Sequence, residues 1–201
     1  VSYKQAAMME PMAVAVHAMR RFHIEKDSSV CVIGLGTIGL LLTMFLKAEG
    51  IQNVYVEGNK DMQKHFAQKL GVDEEHYNVD NVVADYVFEC VGKNETINRA
   101  IELAAPAGNI VLVGNPYSEM NIPKDTYWKI LRKQLKLSGT WNSSYAGESG
   151  DDWHYVLNML ADGRINPEQF ITHVYPLDAI QKGMEIMRDK SEDYVKVMCI
   201  S

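Results

Sequence analysis

The sequence has few cysteines, no block of basic residues and no long apolar run. Its three cysteines, Cys31, Cys90 and Cys199, are odd in number and widely spaced. They indicate free thiols in a reducing, cytoplasmic compartment rather than disulfides or zinc ligands. The net charge of −6 argues against a nucleic-acid surface. The apolar runs are too short to cross a bilayer, so neither nucleic acid nor a membrane is an expected partner.

Strand-like and helix-like segments alternate through most of the 201 residues. Strands are predicted at 29–33, 53–57, 85–89, 109–113 and 135–138, with helices between them at 37–49, 60–70, 95–104 and 125–133. This order is typical of an α/β, doubly wound parallel sheet of the Rossmann type, with helices on both faces. Such sheets bind their ligands at the carboxyl ends of the strands.

A G-x-G-x-x-G motif lies between the first predicted strand and the first helix of this pattern. The motif consists of Gly34, Leu35, Gly36, Thr37, Ile38 and Gly39. Gly34 allows a tight turn, Gly36 allows close approach of a pyrophosphate, and Gly39 allows the helix to pack on the strand. The helix N-terminus adds free N–H groups and partial positive charge. The motif therefore predicts a dinucleotide site.

Other residues at strand ends are expected to line the same ligand. Several are glycines that leave open backbone for a flat molecule, although any one of them could simply be a turn residue. The predicted cofactor-binding residues outside the motif are Gly58, Asn59, Lys60, Val91, Gly92, Val113, Gly114, Gly139 and Thr140.

The end of the second predicted strand is expected to select the coenzyme. An acidic residue that holds the adenosine ribose usually lies about 20 residues beyond the glycine motif, and here that count reaches Gly58. A glycine would not repel a 2′-phosphate and Lys60 could neutralise one, which favours NADP over NAD. Glu57 should point to the other face of the sheet, but a shifted turn could bring it to the ribose. Lys60 could alternatively belong to a solvated helix face.

The chain divides into three predicted parts. Residues 1–26 form an inter-domain helical segment, 27–165 the dinucleotide-binding domain, and 166–201 a C-terminal helix (177–188) and strand (194–200). Glu10 precedes Pro11 and is expected to be extended. Pro11 suits the first turn of a helix that runs to about Phe22.

The stretches 9–18, 34–39, 88–92 and 111–114 resemble those of the coenzyme-binding half of medium-chain, zinc-dependent alcohol and polyol dehydrogenases. The resemblance covers essentially the whole chain, and residues 129–141 look most like the members that oxidise polyol phosphates. It implies NADP or NAD as coenzyme, a polyol or polyol-phosphate substrate, and hydride transfer near Val91, Val113 and Thr140. It also implies a homodimer that pairs through a strand near residues 120–123.

One departure from that family is as informative as the match. The N-terminal domain that supplies a Cys and a Gly-His-Glu motif is absent, so the chain is expected to be a fragment whose C-terminal segment returns toward the missing domain. Glu10 is then the one candidate zinc ligand, in the full-length enzyme only, and no catalytic residue is assigned. We expect the fragment to be inactive alone. A capping or surface role for Glu10, a non-catalytic nucleotide-binding module and a zinc-independent quinone-type reductase remain alternatives.

Overall fold

The apolar run before the glycine motif forms an interior strand of a parallel sheet in the computed structural model, which describes residues 1–200. The strands of this sheet are β1 (Ser29–Ile33), β2 (Asn53–Glu57), β3 (Ala84–Glu89), β4 (Ala104–Leu112) and β5 (Lys136–Gly139). Over the described residues they lie in the order β2-β1-β3-β4-β5, and each neighbouring pair is parallel. A parallel bridge from Val56 to Tyr77 extends the sheet beyond β2.

Helices cover both faces of the sheet. They are α1 (Tyr3–Ala7), α2 (Met9–Met19), α3 (Thr37–Ala48), α4 (Asp61–Lys69), α5 (Asn94–Leu103), α6 (Lys124–Lys133), α7 (Asp152–Ala161) and α8 (Ile180–Asp189). Successive side chains of β1 point to opposite faces of the sheet, into two separate cores. Val30 and Val32 pack in the core that contains α2, α3 and α7, whereas Cys31 and Ile33 pack in the core that contains α5. The doubly wound α/β fold is thus confirmed.

The N-terminal segment differs from its prediction at two points. Glu10 is helical within α2 rather than extended, and α2 ends at Met19 rather than near Phe22. Pro11 lies in the first turn of α2, where its missing N–H costs no intrahelical hydrogen bond. The burial of Pro11 and Met12 against the core outweighs the extended preference of the residue before proline.

Two further differences concern strands. The C-terminal strand β7 (Lys196–Ile200) pairs in parallel with β6 (Ile171–Pro176), a strand that the sequence pattern did not reveal. The prediction of a strand near residues 120–123 is wrong, because this stretch has no regular structure in the described chain. Pro123 is the N-cap of α6 and has no N–H to donate to a strand partner. None of the helices in residues 1–200 has the length and apolar character needed to span a bilayer.

Two adjacent aspartates at the start of α7 hold the loop that follows β5. Asp151 is the N-cap and accepts backbone hydrogen bonds from His154 at 2.8 Å, Ala146 at 2.9 Å and Gly147 at 3.1 Å. Burial alone would raise the pKa of Asp151, but these donors and the His154 ring outweigh burial and hold the pKa well below its usual range.

Asp152 connects the same loop to α2. Its Oδ2 accepts from the Ser144 N–H and hydroxyl, both at 2.8 Å, and lies 2.8 Å from His17 Nδ1. Its Oδ1 accepts from Arg20 at 3.1 Å. Burial opposes ionisation of Asp152, yet the hydrogen bonds from Ser144 and His17 lower its pKa overall. His17 thus has a structural role, because it joins α2 to the start of α7.

We expect Asp152→Ala to destabilise the fold by about 1–3 kcal/mol, because it leaves the Ser144 N–H and its neighbours without their acceptor. Urea denaturation followed by circular dichroism measures this change. Asp162→Ala, at the exposed C-terminal end of the same helix, is the matched control and should change stability by less than about 0.5 kcal/mol. Equal effects of the two substitutions would contradict the assignment.

Candidate coenzyme site

The turn between β1 and α3 requires glycine at its first position. Gly34 has a φ of +92°, and a Cβ there would lie 2.3 Å from Val91 Cγ2. Its N–H donates to the Glu57 carbonyl at 2.8 Å, which joins the turn to the end of β2. Gly39 lies against the same turn, since its Cβ position is 1.9 Å from the Gly34 carbonyl oxygen. Only glycine at both positions allows α3 to start this close to β1.

Gly36 leaves the N-terminus of α3 open. Apart from its chain neighbours, no described atom lies within 4 Å of the position that a Cβ at Gly36 would take. Gly36 is the N-cap of α3, and in the described chain no side chain caps that helix. The first N–H groups of α3 are therefore available to an anion, as a bound pyrophosphate requires.

A cleft of ≈ 420 Å³ opens beside this turn at the carboxyl ends of β1, β2 and β3. It brings together predicted site residues from separate parts of the sequence: Gly34, Leu35, Gly36, Gly58, Asn59 and Val91. It also contains residues that the sequence pattern did not single out: Gln63, Asn78, Lys93, Thr96 and Tyr117. These side chains lie on helices and connections beyond the strand ends, where no motif marks them.

A second cleft, of ≈ 340 Å³, lies at the start of α2. It is lined by Glu10, Val14, Ile38, Val113, Asn115, Thr140, Trp141 and Asn142. Glu10 is therefore close to Val113 and Thr140, the residues expected beside the nicotinamide. Thr37 lies between Gly36, which lines the first cleft, and Ile38, which lines the second. Its hydroxyl donates to the Val195 carbonyl at 2.5 Å.

Glu57 lies in the first cleft although its strand position points it toward α5. Arg99 of α5 donates its Nε to Glu57 Oε1 at 2.8 Å and to the Val79 carbonyl through Nη2 at 3.0 Å. The hydrogen bond to Glu57 raises the pKa of Arg99. The side chain of Glu57 is 17% exposed, so this carboxylate is held at the edge of the cleft.

Gly58 has little room for a side chain. A Cβ there would lie 2.7 Å from Tyr77 Oη and 2.8 Å from Gln63 Oε1. The Gly58 N–H and carbonyl are both bonded to the amide of Asn78, each at 2.9 Å. The next cation along the chain, Lys60, extends to Asp193, with 2.5 Å between Nζ and Oδ1.

A buried glutamate joins the turns that follow β3 and β4. Glu89 is 0% exposed. Its Oε1 accepts from the N–H groups of Val91 at 2.8 Å and Gly92 at 2.9 Å. Its backbone carbonyl accepts from Val113 at 2.8 Å and Gly114 at 2.9 Å. The sequence motif contained Glu89, but its role in fixing both turns is visible only in the fold.

The two turns touch through their glycines. A Cβ at Gly92, where φ is +83°, would lie 2.0 Å from the Asn115 carbonyl oxygen, and a Cβ at Gly114 would lie 2.2 Å from the Gly92 nitrogen. Gly139, at the end of β5, has open space around its Cβ position within the described residues.

We expect Gly114→Ala to destabilise the fold by about 1–3 kcal/mol, because the methyl group must push the turn after β3 away. Thermal and urea unfolding of the purified chain measure this loss. Gly139→Ala is the matched control, since the same methyl group there meets open space, and it should stay within about 0.5 kcal/mol. A Gly114→Ala variant as stable as the control would show that the two turns are not in close contact.

The metal prediction concerns Glu10 alone. In residues 1–200, no group of three or more His, Cys, Asp or Glu side chains is arranged to hold a metal ion. A catalytic zinc site needs three protein ligands, so the described residues do not fit zinc by themselves.

Comparison with known proteins gives a consistent set of matches. A family model described as "Glucose dehydrogenase C-terminus" matches residues 5–199. The chain is 27% identical to the L-idonate 5-dehydrogenase of Vitis vinifera over an alignment of 201 positions, which covers 92% of this chain and 52% of that protein. It is 26% identical to the galactitol 1-phosphate 5-dehydrogenase of Escherichia coli strain K12 over an alignment of 183 positions, which covers 85% of this chain and 53% of that protein. The chain thus spans about half the length of the curated relatives it matches.

Solved structures share the fold at lower sequence identity. The L-idonate 5-dehydrogenase of E. coli superimposes with a TM-score of 0.86 at 22% identity, covering 100% of this chain and 57% of that one. A zinc-binding dehydrogenase of Sinorhizobium meliloti bound to NADP gives 0.78 at 21% identity, covering 98% and 59%. A dehydrogenase of E. coli CFT073 in complex with NADH gives 0.83 at 20% identity, covering 100% and 60%.

Proposed function

The chain belongs to the glucose dehydrogenase C-terminus family, the C-terminal domain of medium-chain zinc-type polyol dehydrogenases, and from this premise we propose that it is the nicotinamide-coenzyme-binding half of a polyol oxidoreductase. The observation that carries the proposal is the open N-terminus of α3 at Gly36, beside a cleft at the carboxyl ends of β1, β2 and β3. A dinucleotide needs both an anion site and an elongated cleft across the sheet edge.

We propose that the adenosine end lies in the first cleft and the nicotinamide end near the second. A bound nicotinamide supplies the hydride acceptor. This chain would hold the pyrophosphate on the N–H groups that follow Gly36, and it would align the nicotinamide through the turns that Glu89 fixes at Val91 and Val113. Gly92 and Gly114, whose turns touch each other, place no side chain on that surface.

The substrate proposal is a polyol or a polyol phosphate such as galactitol 1-phosphate, as the names of the relatives suggest. Glu10 and Thr140 line the second cleft, beside the proposed nicotinamide position. We propose Glu10 as one zinc ligand of a complete enzyme whose other ligands come from outside residues 1–200. A cytoplasmic location is part of the proposal, supported by the three free cysteines among the described residues.

The contacts at the end of β2 support NAD as the preferred coenzyme, in contrast to the NADP favoured by sequence counting. Glu57 lies in the cleft and would repel a 2′-phosphate while accepting hydrogen bonds from a ribose diol. Lys60, which was expected to neutralise that phosphate, is paired with Asp193. Tyr77 and Gln63 fill the space beside Gly58.

We expect the 201-residue chain to bind NAD⁺ more tightly than NADP⁺ in isothermal titration calorimetry. Glu57→Gln removes the negative charge at the ribose and should lower the NAD⁺-to-NADP⁺ affinity ratio by about ten-fold, roughly 1.4 kcal/mol. Glu102→Gln is the control, since Glu102 is an exposed partner of Lys129 on the same helix as Arg99.

Two results would contradict these expectations in different ways. A ten-fold preference of the parent chain for NADP⁺ would support Lys60 as the selecting residue and refute the role of Glu57. Failure to bind either coenzyme would refute the proposed function itself.

We also propose that the protein forms a homodimer through the free edge of β5. Leu137 of β5 is 38% exposed, and the neighbouring helix α6 exposes Tyr127, Trp128 and Leu131 at 55%, 55% and 51%. An unpaired strand edge beside apolar side chains favours pairing with a second copy, and two-fold pairing is the commonest closed arrangement.

Static light scattering should therefore give twice the chain mass of 22.7 kDa at micromolar concentration. Leu137→Lys should shift the species toward the monomer, because a charge on the edge opposes strand pairing. Leu157→Lys, on the exposed surface of α7, should leave the mass unchanged. A monomeric parent chain would rule out this dimer.

A further inference from the structure

We propose that Asp193 is a specificity-determining residue that holds the Lys60 ammonium away from the position of a 2′-phosphate. Asp193 belongs to a C-terminal segment, residues 192–196, that no motif connects with coenzyme binding. The inference rests on the proposed function, because it requires a dinucleotide in the first cleft.

Lys60 stands at the edge of that cleft. It follows Asn59, which lines the cleft, and it is the N-cap residue of α4. Its ammonium nevertheless extends to Asp193, 133 residues later, with 2.5 Å between Nζ and Oδ1. The side chains of Lys60 and Asp193 are 38% and 54% exposed, so the ammonium has room to take another direction once this carboxylate is neutralised.

The segment that carries Asp193 is attached to the glycine turn. Two residues later, the carbonyl of Val195 accepts the Thr37 hydroxyl at 2.5 Å, and the Val195 N–H donates to Thr172 Oγ1 at 3.1 Å. Val195 is 4% exposed. Segment 192–196 is therefore attached to the first turn of α3, the helix whose N-terminus would hold the pyrophosphate, so Asp193 stays within reach of Lys60.

Two other cations around the adenosine end, Arg99 and Lys64, are also paired with carboxylates of the chain. Arg99 is bonded to Glu57, and Lys64 of α4 lies 2.6 Å from Glu74. Lys93, at the other wall of the cleft, stands 5.9 Å from the centre of the Tyr117 ring. Lys60 directly follows Gly58 and Asn59, which line the cleft. The single substitution Asp193→Asn would remove the carboxylate that holds its ammonium.

The test compares NADP⁺ and NAD⁺ binding by calorimetry for the parent chain, Asp193→Asn and Asp189→Asn. Asp189 is the matched control, because it is an exposed aspartate of the same C-terminal part that pairs with Arg188. Since exposed ion pairs are weak, we expect Asp193→Asn to tighten NADP⁺ binding by about three-fold to ten-fold and to change NAD⁺ binding by less than about two-fold. Asp189→Asn should change neither.

Lys60→Gln completes a double-mutant cycle. Alone it should leave the weak NADP⁺ binding of the parent chain unchanged, and combined with Asp193→Asn it should abolish the gain. An equal change for both coenzymes, or a gain that persists without Lys60, would overturn the inference while leaving the proposed function intact. Failure of the parent chain to bind either coenzyme would overturn both.

Discussion

The contact between α3 and β1 at Gly39 and Gly34 determines where the rest of the site lies. A Cβ at position 39 would collide with the Gly34 carbonyl. Because glycine has no Cβ, the helix can start directly above the strand end. That position directs the N–H groups of its first turn toward the cleft and brings Thr37 to the C-terminal segment. The same turn bonds to the end of β2 through the Glu57 carbonyl, so the proposed coenzyme selector and the proposed anion site form one local structure.

A second constraint is the burial of Glu89. One carboxylate oxygen and one carbonyl of this residue accept four backbone N–H groups from two turns. Turns with so few side chains of their own would otherwise be mobile. A buried polar group is costly unless it is hydrogen-bonded, and here the bonds that Glu89 Oε1 accepts hold the turn on which we propose that the nicotinamide lies.

Local patterns predicted the features that depend on neighbours in sequence. Strands β1 and β2 were predicted at their observed bounds, because apolar alternation and the flanking glycine motif are local signals. Helix α2 was misjudged at Glu10, where burial of the following residues outweighs a local backbone preference. Strand β6 was missed because its residues are only partly buried, and it is stabilised by pairing with β7.

The contacts that refine the site depend on distant residues. Arg99 and Glu57 are 42 residues apart, and Lys60 and Asp193 are 133 apart. No spacing rule predicts such pairs from the sequence. Counting along the chain therefore identifies Gly58 as the position that selects the coenzyme. The fold instead brings a carboxylate one residue earlier into the cleft.

The two aspartates at the start of α7 have a mechanical consequence for the second cleft. Glu10 lies at one end of α2, and Asp152 is bonded near the other end, to His17 and Arg20, while it also holds the loop that follows Thr140. Opposite walls of the cleft are therefore cross-linked through a single helix. We therefore expect Glu10 and Thr140 to keep their relative positions in any motion of this domain.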